Sequence, residues 1–284
     1  MTLLKGFSTV LMVSLLGLSA QAQNVCFMQD VQVETIAGTN VSQAQQKILQ
    51  GDYSTAYTKG LSEDQILERI LSRIKIYPTS SNPLSDEDLA VEIYRASKAF
   101  GLDPFVMAAK IETESDFIVK VNNKNGTGLT QMTSIAVEEM TYQYEKKDVG
   151  GIFHGLSSRF YENKSELSQW MSWAKQRVNS YSQKKQILSK NYKYSLSAGA
   201  SVLKFYLARN GGNYGKALAS YNGGGTAGYS KSVMGLAHEI DMGCAIPENV
   251  LSVLEISCAM SDSQEGCDSM AHEILGTRPA GKEI

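Results

Sequence analysis

From Ala108 to Phe117 the chain reads A-A-K-I-E-T-E-S-D-F, with three carboxylates at alternate positions inside an apolar run. A carboxylate can move a proton, pair with a cation or ligate a metal, and its setting decides which. Asp103-Pro104 just ahead is a helix start, because Asp caps orphan amides and Pro loses no bond at the first helical position. At about 100° per residue with Met107 at zero, Ile111 falls near 40°, Ile118 near 20° and Glu114 near −20°. Glu114 is thereby centred on the apolar stripe. Glu112, at about 140°, and Asp116, at about 180°, fall on the opposite face, where they are solvent-side bystanders whose amide substitutions should be mild. Burial disfavours the charged form of a carboxyl group, which is how a glutamate keeps a proton for general-acid work. The alternative is an ion pair, and Lys110, at about −60° on the same helix, is close enough to form one.

The elements that must hold this stretch are helices. Proline is rare, with 5 in 284 residues, glycine clusters in short breaks, and the segments between carry a 3.6-residue apolar period. The fold class is therefore all-α. Ser85 followed by Asp88 opens a helix running to Phe100, which Gly101 ends. Further helices are expected near Leu167 to Leu188, from Ser195 to Asn210 and from Tyr214 to Asn222. The polar region before Pro78 and Pro83 carries two, near Val41 to Leu49 and Glu63 to Ile76.

Three ordered motifs surround Glu114: Glu114-Ser115-Asp116-Phe117, then Gly128-Leu129-Thr130-Gln131-Met132, then Ala219-Ser220-Tyr221-Asn222-Gly223-Gly224. On these the chain resembles the lytic transglycosylase (SLT domain) branch of the lysozyme-like superfamily, marked by E-S-x-F, G-L-M-Q and A-A-Y-N-A-G. The resemblance covers roughly 86–229. Thr130 stands where the family has Met, Ser220 and Gly223 replace alanines, and the loop after Glu114 is shorter, departures that bear on glycan preference. The resemblance implies a lysozyme-like domain over 85–235 that cleaves the β-1,4 bond between N-acetylmuramic acid and N-acetylglucosamine in peptidoglycan. Glu114 resembles the single acid and base, and Ser115 the residue that orients the reacting sugar. Gln131 resembles the amide that contacts the sugar, Gly128 would let the backbone approach the glycan, and Tyr221 and Asn222 resemble the pair that closes the cleft, the phenol bonding the carboxyl. Two-carboxylate glycosidases need their acids roughly 5 to 9.5 Å apart. The motifs supply one, with Glu138 and Glu139 the candidates for a second. A single acid can finish the reaction if the muramic acid C6 hydroxyl attacks C1, giving 1,6-anhydromuramyl products. A hydrolytic muramidase that uses water, and a non-catalytic glycan-binding protein on the same fold, are the rival readings.

The connection over 141–190 is longer than the family's usual one and carries Tyr142, Tyr144, Phe153, Phe160, Tyr161, Trp170 and Trp173 among Lys164, Lys175, Arg177, Lys184 and Lys185. It is either an added wall of the groove, with aromatics stacking on sugars, or an insertion with its own small core.

Composition bounds the rest. With 43% apolar residues and a net charge of −2, the chain can build a core and has no global basic field for nucleic acid. Residues 1–22 read as a signal peptide ending at Ala20-Gln21-Ala22, with an apolar run too short to remain as a membrane anchor. The expectation is an exported monomer, periplasmic or extracellular, with peptidoglycan glycan strands as partner. Residues 23–84 form an N-terminal helical extension and 236–284 a cysteine-containing tail. Four cysteines in an exported chain favour disulfides, with Cys258 to Cys267 and Cys26 to Cys244 the expected pairs. His154, His238 and His272 have no metal spacing or triad context, and no metal or organic cofactor is implied.

Overall fold

In the computed structural model the described residues are 48–52, 56–122, 125–145, 147–177, 181–223 and 227–243, all within one unit spanning 32–243. Residues 1–22, expected to be a signal peptide, the four cysteines and residues 244–284 of the expected tail lie outside them. The described residues form an all-α protein, without a strand and with one isolated bridge between Asn122 and Thr127.

Local capping explains where the early helices begin. Helix α1 (Glu63–Ile74) starts at Ser62, whose hydroxyl accepts from the Gln65 amide while the Gln65 side chain accepts from the Ser62 amide. Helix α2 (Asp86–Phe100) is capped by Ser85 and closed by Gly101 in the left-handed region at φ 58°. Helix α3 (Pro104–Ser115) starts at Asp103, whose carboxylate accepts from the Phe105 and Val106 amides. Then come α4 (Ser134–Glu145), α5 (Lys147–Phe160), α6 (Lys164–Lys175), α7 (Tyr181–Leu188), α8 (Tyr192–Arg209), α9 (Tyr214–Tyr221) and α10 (Tyr229–Asp241).

Helix α3 lies in the middle, packed against α1, α2 and α10, and every residue from Pro104 to Glu112 is buried. That overturns the placement of Glu112 on a solvent face: its exposure is 3%. The wheel argument assumed one wet side, whereas a helix enclosed all round has none over its first turns. Asp116 is half-buried and closes the helix in left-handed conformation.

Two expected boundaries also change. Helix α1 packs on α2, α3 and α10, and Ile66, Ile70 and Ile74 join the common core, so this part of 23–84 is not a separate extension. Helix α10 runs through position 235, where the domain was expected to end. Of the helix expected over 41–49, residues 48 and 49 are described, and they are helical.

Candidate active site

The last turn of α3 delivers Glu114 to a site that α9, α10 and the 127–132 turn complete. Glu114 is partly open, its side chain 18% exposed. Tyr229, the first residue of α10, donates from its hydroxyl to Glu114 Oε1 at 2.6 Å. Lys110, one turn back on α3 and fully buried, brings Nζ to 3.8 Å from the same oxygen, a Coulombic contact rather than a hydrogen bond. Among the described residues nothing donates to Oε2.

Lys110 also ties the site together. Its Nζ donates to the Thr130 carbonyl at 3.3 Å and lies 3.8 Å from the centre of the Tyr221 ring. The Tyr221 hydroxyl donates to the same carbonyl at 2.9 Å and to Met132 Sδ at 3.3 Å. Thr130 is held in turn by its hydroxyl on the Ser195 carbonyl, in contact with Gly199, where any Cβ would fall 2.5 Å from the Thr130 side chain. Threonine at this position is therefore matched by a glycine on α8.

Electrostatics follow from this packing. Burial pushes the Lys110 ammonium down to about 8, with Glu114 opposing the shift. Burial and the neighbouring Glu114 charge push the Tyr221 and Tyr229 phenols well above their ordinary value, so both remain donors. Among the described residues Glu114 is the one carboxylate acting on Lys110, Tyr221 and Tyr229 alike. Glu139 faces Arg209 at 4.0 Å, and Glu138 lies on the exposed side of α4.

Several expected roles change. Tyr221 is at the site but bonds Thr130, and the phenol on the Glu114 carboxyl is Tyr229. Ser115 is buried, its hydroxyl donating to the Leu129 carbonyl at 2.9 Å and to Ile111 at 3.0 Å, which pins α3 to the turn. Gln131 is buried and its amide donates to the Gly128 and Val121 carbonyls, bracing the loop. At Gly128, φ 71°, a Cβ would lie 2.6 Å from the Leu188 carbonyl oxygen and 2.7 Å from the Ser195 hydroxyl, so neighbouring helices approach its backbone closely. Asn222 is half-buried as the C-cap of α9. Ser115, Gly128 and Gln131 thus build the frame around Glu114.

Three non-glycine residues among those described have left-handed backbone, Asp116 (φ 49°), Phe117 (φ 59°) and Gln131 (φ 44°), and all flank this site. Each costs roughly 1–2 kcal/mol, and such strain gathers where geometry serves function.

Tyr229 escaped the sequence reading because no motif distinguishes it among 14 tyrosines; its one mark is the place after the Gly223–Gly228 break. Among the described residues no three His, Cys, Asp or Glu side chains gather as a metal site. Compared with family models, curated proteins and solved structures, the chain matches none.

Proposed function

We propose that the protein is an exported, lysozyme-like lytic transglycosylase that cleaves the β-1,4 bond between N-acetylmuramic acid and N-acetylglucosamine in peptidoglycan, with Glu114 as its single acid and base. The observation that carries this reading is the asymmetry of the Glu114 carboxyl. Oε1 is engaged by Tyr229 and Lys110, while Oε2 has no donor among the described residues on a side chain that is partly exposed. A carboxyl fixed by one oxygen is oriented, and its other oxygen is available to a substrate.

In this reading protonated Oε2 gives its proton to the glycosidic oxygen as the bond to C1 breaks, and the N-acetylglucosamine leaves with a free hydroxyl. Oε2 then takes the proton of the muramic acid C6 hydroxyl as O6 bonds C1, closing a 1,6-anhydro ring and restoring the acid. No water is consumed. Tyr229 stabilises the carboxylate between the two steps, and Tyr221 and Lys110 hold the turn against α3. The single carboxylate supports an internal nucleophile over the two-acid route of a hydrolytic muramidase.

Lys110 favours a second reading, in which Glu114 is a structural partner and the protein binds glycan without cutting it. One experiment separates these. Purified peptidoglycan is digested with wild type and Glu114→Gln, and the soluble products are weighed by mass spectrometry. Anhydromuramyl fragments from wild type alone are the expected result. Fragments heavier by one water would establish hydrolysis, and intact strands with either protein would remove the cleavage reading.

A further inference from the structure

The insertion over 141–190 sorts its aromatic residues into two groups. Tyr144, Phe153, Phe160, Tyr161, Trp170 and Trp173 are buried and pack on one another, with Trp170 5.7 Å from Tyr144 and 5.3 Å from Trp173. They are a core, and they need no ligand. Tyr142 is different: it is 46% exposed, on the outer side of α4. With Tyr181 and Arg177 from the insertion, and Ser134 and Glu138 from α4, it frames a cleft of about 320 Å³.

This cleft is organised. The Arg177 guanidinium, 79% exposed, pairs with Glu145 Oε2 at its edge, 2.8 Å from Nε and 2.7 Å from a terminal nitrogen. The Tyr181 hydroxyl donates to the Met132 carbonyl, and Met132 Sδ accepts from Tyr221. One residue therefore joins the cleft wall to the turn around Glu114. Glu138 is exposed and, among the described residues, has no partner.

A pyranose ring has an apolar C–H face and a rim of hydroxyls. A phenol ring beside a free carboxylate and a serine hydroxyl matches both, and the volume is at the small end of ligand pockets. We propose that the cleft between α4 and α7 is a saccharide subsite built by the insertion, where Tyr142 stacks on a sugar away from the cleaved bond and Glu138 accepts its hydroxyls. That the sugar belongs to the peptidoglycan strand rests on the function proposed above.

Tyr142→Ala and Glu138→Gln alter exposed side chains, so circular dichroism should match wild type. Binding of chitotetraose to the Glu114→Gln protein, with and without each change, is measured by calorimetry, and KM and kcat are measured on peptidoglycan with Glu114 intact. The expected result is weakening of chitotetraose binding by about fivefold or more and a similar rise in KM with kcat little changed. Unchanged binding and KM in both variants would overturn the subsite even if Glu114→Gln abolishes cleavage. Weaker binding in a protein that cuts nothing would support the subsite and remove the transglycosylase reading.

Discussion

Two carboxylates stand two residues apart on α3 and are treated in opposite ways. Glu112 is closed: Arg73 donates to Oε2 at 2.8 Å and to Oε1 at 2.6 Å, and the Tyr77 hydroxyl adds a 2.6 Å bond to Oε1. Both oxygens are occupied and the pair is buried. Glu114 is half-open, with Oε1 held by Tyr229 and Lys110 and Oε2 left for something else. A bidentate guanidinium pairs each oxygen with its own donor, whereas an ammonium at 3.8 Å is a point charge that fixes none. The first arrangement locks α1 to α3. The second orients a group without using it up.

Exchanging the two residues' fates is the largest test of that contrast. Glu114→Gln should lower cleavage at least about a hundredfold, since the amide cannot deliver a proton, while thermal unfolding stays close to wild type. Glu112→Gln should do the reverse. It leaves buried Arg73 with the Glu239 carboxylate, 3.3 Å away, as its remaining countercharge, at a cost of up to about 3 kcal/mol, and the unfolding midpoint should fall by several degrees while the remaining folded protein still cuts. Melting curves and turnover per folded molecule read both. A destabilised Glu114→Gln beside an inert, stable Glu112→Gln would invert the assignment.

That contrast was only partly legible in the sequence. The starts of α2 and α3 could be read because capping is local, made by Ser85 and Asp103 with amides two or three positions on. The partner of Glu112 could not, because Arg73 lies 39 residues away and is brought in by the packing of α1. Wheel geometry centred Glu114 on the buried stripe and put Glu112 on the solvent face, whereas Glu112 is the more buried of the two and Glu114 is partly open. A wheel orders residues around one helix and says nothing of how many neighbours enclose it. The motif residues Ser115, Gly128 and Gln131 were found by type, and here the Ser115 hydroxyl and the Gln131 amide bond backbone carbonyls of the site's own frame. Type and spacing do not say whether a hydroxyl or an amide turns outward or back onto the chain.

A smaller effect isolates the donor on Glu114. Tyr229→Phe keeps the ring, which is 7% exposed, and removes the 2.6 Å bond to Oε1. A hydrogen bond to a charged group contributes about 1.5–3 kcal/mol, so kcat should fall roughly ten- to a hundredfold with KM little changed. Tyr77→Phe, the matching change at Glu112, should leave kcat alone and lower stability instead. Equal losses of kcat in both variants would erase the difference between the two acids.

The smallest effect concerns the two cations. Arg73 is held charged, its guanidinium pushed up by Glu112 and Glu239 in spite of its burial. Lys110 is pushed down to about 8, because the loss of hydration outweighs the attraction of Glu114. Between about pH 8 and the ordinary lysine value near 10.4, an unfolded chain therefore binds a proton at Lys110 that the folded chain has released. More protons on the unfolded state mean that stability rises with pH across this window. Lys184 and Lys204, also pushed down to about 8 by burial, act in the same direction. Above about pH 10 the raised phenols Tyr221 and Tyr229 reverse the trend, since the unfolded tyrosines ionise first. Denaturant unfolding at steps from pH 7.5 to 9.5 should accordingly show wild-type stability rising, and Lys110→Met should rise less steeply because one of three contributing lysines is gone. Parallel slopes would mean that Lys110 keeps its proton throughout and that Glu114 is paired as firmly as Glu112.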